Sequence, residues 1–190
     1  MASIDLITAA GLAYKRTWGE RLYLLPMVLI PLLIKYMCFT LADIFAPDGN
    51  IILMSLIMLP AYFAEGWLLT HWARTIMLGH RWPFTPTGKK DADRVELSAR
   101  ARGILSGSVA YLLINLLMAG YFAFFMSYIP MDMNPEEPDP RVAMIGLIMM
   151  GATFFLFRYI WFYIPLAINL SPQFYIKKVQ PLMVTFQMIG

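Results

Sequence analysis

ILSGSVAYLLINLLMAGYFAFFMSYI, residues 104–129, contains no charged residue. At 1.5 Å of rise per residue, a helix over this stretch crosses a hydrocarbon core of about 30 Å. It reads as a transmembrane helix, and three further segments read the same way. Val142 to Leu170 is interrupted by Arg158 alone, and Leu22 to Phe45 is apolar except for Lys35 and Asp43. Ile51 to Leu78 is a longer run that holds Glu65 and ends among His71, Arg74, His80 and Arg81. The expected fold is therefore all-α, a polytopic membrane protein with four transmembrane helices arranged as two hairpins.

Composition supports this reading. Apolar residues make up 59% of the 190 and charged residues 14%, against roughly 45–50% and 25% in soluble domains. The surplus apolar surface needs lipid to cover it. Residues 1–190 form a single membrane domain, divided into an interfacial helix (1–21), spans at 22–45, 51–78, 104–129 and 142–170, a basic loop or helix (79–103), an acidic loop (130–141) and an amphipathic tail (171–190). The N-terminus lacks a short apolar core followed by a small-residue cleavage site, so it is expected to be mature protein. The single Cys38 lies in an apolar run and reads as a small buried residue.

Charge between the spans is uneven. Lys15, Arg16 and Arg21 precede the first span; Arg81, Lys89, Lys90, Arg94, Arg100 and Arg102 separate the second and third; Lys177 and Lys178 follow the fourth. The other connections carry Asp48, Asp132, Glu136, Glu137 and Asp139 against Arg141. The positive-inside rule then puts both termini in the cytoplasm. Ile4, Ile7, Leu12 and Trp18 beside Lys15 and Arg16, and Val95, Leu97 and Ile104 beside Arg94, Arg100 and Arg102, suit helices lying in the headgroup layer. The second stretch reads equally well as a solvated basic loop. With both interfacial, the chain becomes a tandem repeat of surface helix plus hairpin. Trp18, Tyr23, Trp67, Trp72, Trp82, Trp161 and Tyr163 fall near the expected interfaces, as anchoring aromatics do.

Late in the chain, Arg158 and Trp161 precede Pro165, a small-polar turn at Asn169 and Ser171, an amphipathic stretch with Lys177 and Lys178, and a closing Gly190. In these positions the sequence resembles an uncharacterised bacterial inner-membrane family that shares its fold with the membrane domain of anchored glycerophosphodiester phosphodiesterases. The resemblance is specific over the last thirty-odd residues and topological elsewhere. It implies a bacterial inner membrane and a continuation into a third hairpin; with Gly190 closing the sequence, the chain is expected to be either a shortened relative or a fragment of a longer gene product. The hydrolase domain of some relatives is also absent, so the resemblance carries no expectation of phosphodiesterase activity.

A charge at mid-bilayer costs about 2.5–3.5 kcal/mol and is normally turned inward and paired. Counted from the acidic end, Lys35, Glu65, Asn115 and Arg158 lie roughly 15 to 24 Å deep. They are expected to form a polar layer, with Glu65 as the acid, Arg158 and Lys35 as competing bases and Asn115 as a neutral link. That layer is either a structural ion pair fixing helix register or a site for substrate or protons. The structural reading is favoured because no nucleophile or metal set stands nearby. Arg158 has two further options: cation–π contact with Phe154, Trp161 and Phe162, or extension to the inner interface.

Gly103 and Gly107 form a small-xxx-small pair, and Ala61, Ala64 and Gly66 surround Glu65; both places are expected to pack helices closely. Ser108, Tyr111 and Asn115 share one face, lining a wet path or bonding across the bundle. Pro26, Pro31, Pro60 and Pro165 favour kinks. His71 and His80 have no acidic or cysteine companions at ligand spacing, so no metal is expected. Acidic residues within 81–102 moderate its charge, and anionic headgroups account for it without nucleic acid. No phosphate-cradling glycine loop, serine elbow or paired-histidine motif occurs.

The expected function is therefore non-enzymatic, with no catalytic residue and no cofactor. The chain reads as an interaction or assembly subunit whose partners are the lipid bilayer and other membrane protein subunits, or a second copy of itself. The alternative is a small oligomeric transporter or lipid-handling protein that uses an intramembrane Glu/Arg pair.

Overall fold

The computed structural model describes residues 6–128, 140–157 and 159–179, all helix and connection, with no strand among them. A first helix, α1 (Leu6–Gly19), is followed after Glu20 by α2 (Arg21–Phe45). Buried Leu24, Met27, Pro31, Cys38 and Ala42 recur on one face of α2, the spacing of a helix with a single packed stripe. Pro26 and Pro31 lie inside α2 without ending it.

The second span is broken. Asn50 caps α3 (Ile51–Ile57), accepting from the Ile52 and Leu53 amides at 3.1 Å each. After Met58 the chain turns by 55° into α4 (Leu59–Leu78). Pro60 causes this: it offers no N–H to the Leu56 carbonyl, and its ring crowds that carbonyl. Left-handed Gly79 (φ 71°) ends α4, a conformation glycine adopts without strain.

From Lys90 the chain forms one helix, α5 (Lys90–Met126), of 37 residues. The stretches read as a basic loop or helix (79–103) and a span (104–129) are thus joined, from Lys90 on, in one continuous helix. No proline interrupts the join, and Arg100 pairs with Glu96 one turn earlier at 2.5 Å. At about 55 Å, α5 is longer than a hydrocarbon core is thick.

The fourth expected span is also segmented, into α6 (Pro140–Phe157), a 3₁₀ turn (Ile160–Phe162) and α7 (Tyr163–Ala167), with α8 (Pro172–Val179) beyond. Pro165 lacks the donor that would continue an α-helical ladder here. Residues 1–5 of the expected interfacial helix, with Ile4, residue 129 of the third span, residues 130–139 of the acidic loop, Arg158 and residues 180–190 of the tail lie outside the described residues.

Three helical stretches, Arg21–Phe45, Lys90–Met126 and Pro140–Ala167, are long and apolar enough to cross a membrane, and the bent α3–α4 pair makes a fourth if it counts as one span. The most extensive packing is between α4 and α5, with α2 on α4 and α7 on α5. The α4–α5 seam is built from small residues. A Cβ on Gly66 would stand 2.9 Å from the Ser108 carbonyl oxygen. A Cβ on Gly107 would collide with Thr70, and one on Gly103 would collide with Arg74 and lie 2.5 Å from the Ala167 carbonyl oxygen. Positions 66, 70 and 74 thus meet 108, 107 and 103 in antiparallel register, the close approach that small residues permit.

Candidate functional sites

Midway along the bundle, Lys35 of α2 points to Glu65 of α4. Its Nζ lies 2.5 Å from Glu65 Oε1, and the Tyr111 hydroxyl of α5 donates to Oε2 at 3.2 Å. Three helices therefore meet at the carboxylate, α4 carrying it and α2 and α5 each supplying one partner. The ring of Tyr111 meets Tyr163 of α7 edge-on at 5.5 Å. Asn115, expected to link the layer, instead donates to the Tyr111 carbonyl of its own helix at 2.9 Å. Its side chain is satisfied locally, as amides inside helices often are. Arg158 lies outside the described residues, so its share in the layer is not described. Ser108 and Tyr111 do bond across the bundle, Ser108 Oγ facing Thr70 Oγ1 at 3.4 Å.

The second cluster stands at the basic end of α4 and centres on Arg74, which is only 3% exposed. Its Nη1 donates to the Ala167 carbonyl at 2.6 Å, and Nη2 faces His80 Nδ1 at 3.3 Å. Gly103 makes room for the guanidinium, and Asn169, left-handed at φ 60°, donates across to the Ala99 carbonyl at 2.9 Å. Gly103 and Gly107 thus seat α4 and α7 against α5.

Around Arg74 the connection from α4 to α5 is pinned on both sides. Arg81 Nη2 reaches both Glu20 oxygens, at 2.6 and 2.7 Å, and the Trp82 amide donates to the Tyr23 hydroxyl at 2.6 Å. Arg16 Nη1 donates to the Ile76 carbonyl at 2.7 Å, tying α1 to the end of α4. Arg100 pairs with Glu96 and lies over the Phe84 ring at 4.8 Å. Burial, reinforced by Arg100 and Arg74, holds the His80 imidazole below its ordinary range, so it is neutral at neutral pH. Asp93 receives the Thr87 hydroxyl at 2.6 Å and the Thr87 and Gly88 amides, and these bonds, the hydroxyl's first, hold its carboxyl below the usual range. A cavity of 270 Å³ opens among these groups, lined by Arg74, Arg81 and Arg100 on one side and by Phe63, Trp67 and Leu105 on another.

Sequence reasoning counted Arg74 among flanking basic residues and missed its burial. A signal was present: Gly66, Thr70 and Arg74 recur every four residues on the face of α4 that the small residues mark. His71 meets Trp67 and Trp82 edge-on at 4.5 and 5.6 Å. Among the described residues no group of three or more His, Cys, Asp or Glu is placed to hold a metal ion.

The described residues form an all-helical fold with three helices, or four if the bent pair is one span, long and apolar enough to cross a membrane, packed through a glycine seam. Compared with known proteins, the chain matches no family model, no curated protein and no solved structure.

Proposed function

We propose that the chain is a non-enzymatic inner-membrane protein that assembles with other membrane subunits, or with itself. The observation that carries this reading is α6. Its Met144, Leu147, Ile148, Met150, Phe154 and Phe155 are exposed, and it packs only sparsely on the rest of the chain. The Tyr121 hydroxyl anchors it, donating to the Met149 carbonyl at 2.6 Å. A span with so little of its surface packed within the chain offers that surface to lipid or to another helix.

The state of Glu65 supports an assembly role over transport. A carrier of protons or substrate needs an intramembrane acid that changes partners, whereas Glu65 is held from two sides by Lys35 and Tyr111. Placement in a bacterial inner membrane with both termini cytoplasmic belongs to the same proposal. It draws on the basic loops and on the resemblance of the last thirty-odd residues to the phosphodiesterase-associated membrane family.

Gentle detergent extraction of the native protein, followed by mass analysis of everything that elutes with it, tests the reading. The expected result is a stoichiometric assembly whose contacts, mapped by photocrosslinkers at Met144 and Leu147, run along α6. A chain that remains monomeric in lipid nanodiscs and crosslinks only to lipid would sink it.

A further inference from the structure

The cavity at the basic end combines two surfaces that rarely meet without a purpose. One is cationic. Arg74, Arg81 and Arg100 line it, while the carboxylates Glu20 and Glu96, outside the lining, pair with Arg81 and Arg100. Three arginines against two carboxylates leave one positive charge, and the geometry assigns it to Arg74. None of the described carboxylates lies within 4.0 Å of that guanidinium. Its direct partners, a backbone carbonyl and His80, carry no negative charge, and Glu96, whose charge also reaches Arg74, is bonded to Arg100 and stands 3.9 Å from His80. A guanidinium has five N–H donors in a planar fork, so donors remain for a further acceptor. A buried cation without a counter-charge is costly, and an anion beside it removes the cost.

The other surface is apolar and lies along the bundle axis. Phe63 precedes Arg74 by eleven positions on α4, about 16 Å of helix. Leu105 and Phe63 are exposed at the cavity's far margin. The cavity therefore runs from charge at the basic end to apolar side chains toward the middle of the spans. That gradient matches a headgroup joined to a hydrocarbon chain. At 270 Å³ the space falls below the roughly 300 Å³ at which pockets begin to take drug-sized molecules. It suits a headgroup and its first methylenes, with the chain continuing over Phe63 and Leu105.

We propose that this cavity binds the phosphate of an anionic lipid, with Arg74 as the phosphate-binding cation and Phe63, Trp67 and Leu105 as the bed for the start of the acyl chain. Arginine suits phosphate because its planar donors engage two oxygens at once. Glu20 and Glu96 hold Arg81 and Arg100 at the rim, so binding requires no large rearrangement. A zwitterionic headgroup is disfavoured because its ammonium would approach the same cations.

The test uses the full chain in phosphatidylcholine nanodiscs containing a minor fraction of phosphatidylglycerol, with retained lipid counted by native mass spectrometry. Phosphatidylglycerol is expected to be retained over phosphatidylcholine, and Arg74→Gln to reduce that preference about tenfold. Arg94→Gln, at an exposed position outside the cavity, is expected to leave it unchanged. Ala101→Phe fills the cavity while keeping every charge, so it tests the proposal even if Arg74→Gln fails to fold; its expected result is the same loss. Equal retention of the two lipids, or unchanged preference in Ala101→Phe, would overturn the proposal. Inorganic phosphate alone is the second probe: displacement of phosphatidylglycerol at millimolar concentration would identify a free-phosphate site and overturn the lipid assignment.

Discussion

The two charged regions of this protein solve the same problem in opposite ways. Midway along the bundle, Lys35 and Glu65 neutralise one another, and Tyr111 supplies a hydrogen bond to the second carboxylate oxygen. At the basic end, Arg74 is more deeply buried than either, yet its partners are a carbonyl and a neutral imidazole. A balanced pair fixes register and asks for nothing further. A buried cation with no carboxylate in direct contact, the negative charge that reaches it being Glu96 already bonded to Arg100, has room for an anion, and a cavity lies beside it. Charge balance therefore separates a structural group from a binding one more sharply than depth does.

The largest expected effect comes from unbalancing the balanced site. Lys35→Met leaves Glu65 without its cation inside an apolar bundle, and the loss is about 3 kcal/mol. Lys35→Met combined with Glu65→Met should recover most of it, as a double-mutant cycle on unfolding in detergent would read. If the double variant were no more stable than the single, the pair would not be a unit. Next is the seam that seats Arg74. Gly103→Ala puts a methyl 2.5 Å from the Ala167 carbonyl oxygen, an overpacking that costs about 2 kcal/mol. Gly120→Ala, in open space on the same helix, should be neutral or slightly stabilising in the same thermal assay. An equal loss at both glycines would show that the seam is not close-packed.

Tyr111→Phe isolates the third partner of Glu65. Removing one hydrogen bond to a charged group should cost about 1 to 2 kcal/mol, with the fold retained and Lys35 still paired. The smallest effect distinguishes the basic end by pH. His80 is held below its ordinary range in the folded state, so the unfolded chain binds more protons between the folded and ordinary values. Its contribution is complete above the ordinary histidine range and is lost as pH falls toward the folded value. Protection of the 79–89 amides, taken relative to the intrinsic exchange rate at each pH, should fall on mild acidification, and His80→Gln should flatten that response. A flat wild-type profile would remove His80 from the arginine network.

The spans were legible because lipid imposes a one-dimensional rule, a long apolar run, that needs no knowledge of neighbours. The continuity of α5 was not, because the charges between Lys89 and Arg102 look like a connection when hydropathy alone is read. Helix propensity across Arg94–Gly103 and the Glu96–Arg100 pair carry the helix through them. Prolines illustrate the same limit. Pro60 stands at a 55° bend, whereas α2 runs on through Pro26 and Pro31. Of the expected polar layer, Lys35 and Glu65 meet, while Asn115 turns back on its own helix. The four-residue spacing of Gly66, Thr70 and Arg74 hinted at a packed face, but the burial of Arg74 exists only once Gly103 arrives from another helix. A lone arginine at the end of a span carries no such mark.

The length of α5 joins these regions mechanically. Arg100, at the cavity rim, and Tyr111, on the Glu65 carboxylate, sit eleven residues apart on one unbroken rod, about 16 Å along its axis. The cavity rim and the Glu65 carboxylate thus share one continuous helix, and the position of α5 sets both.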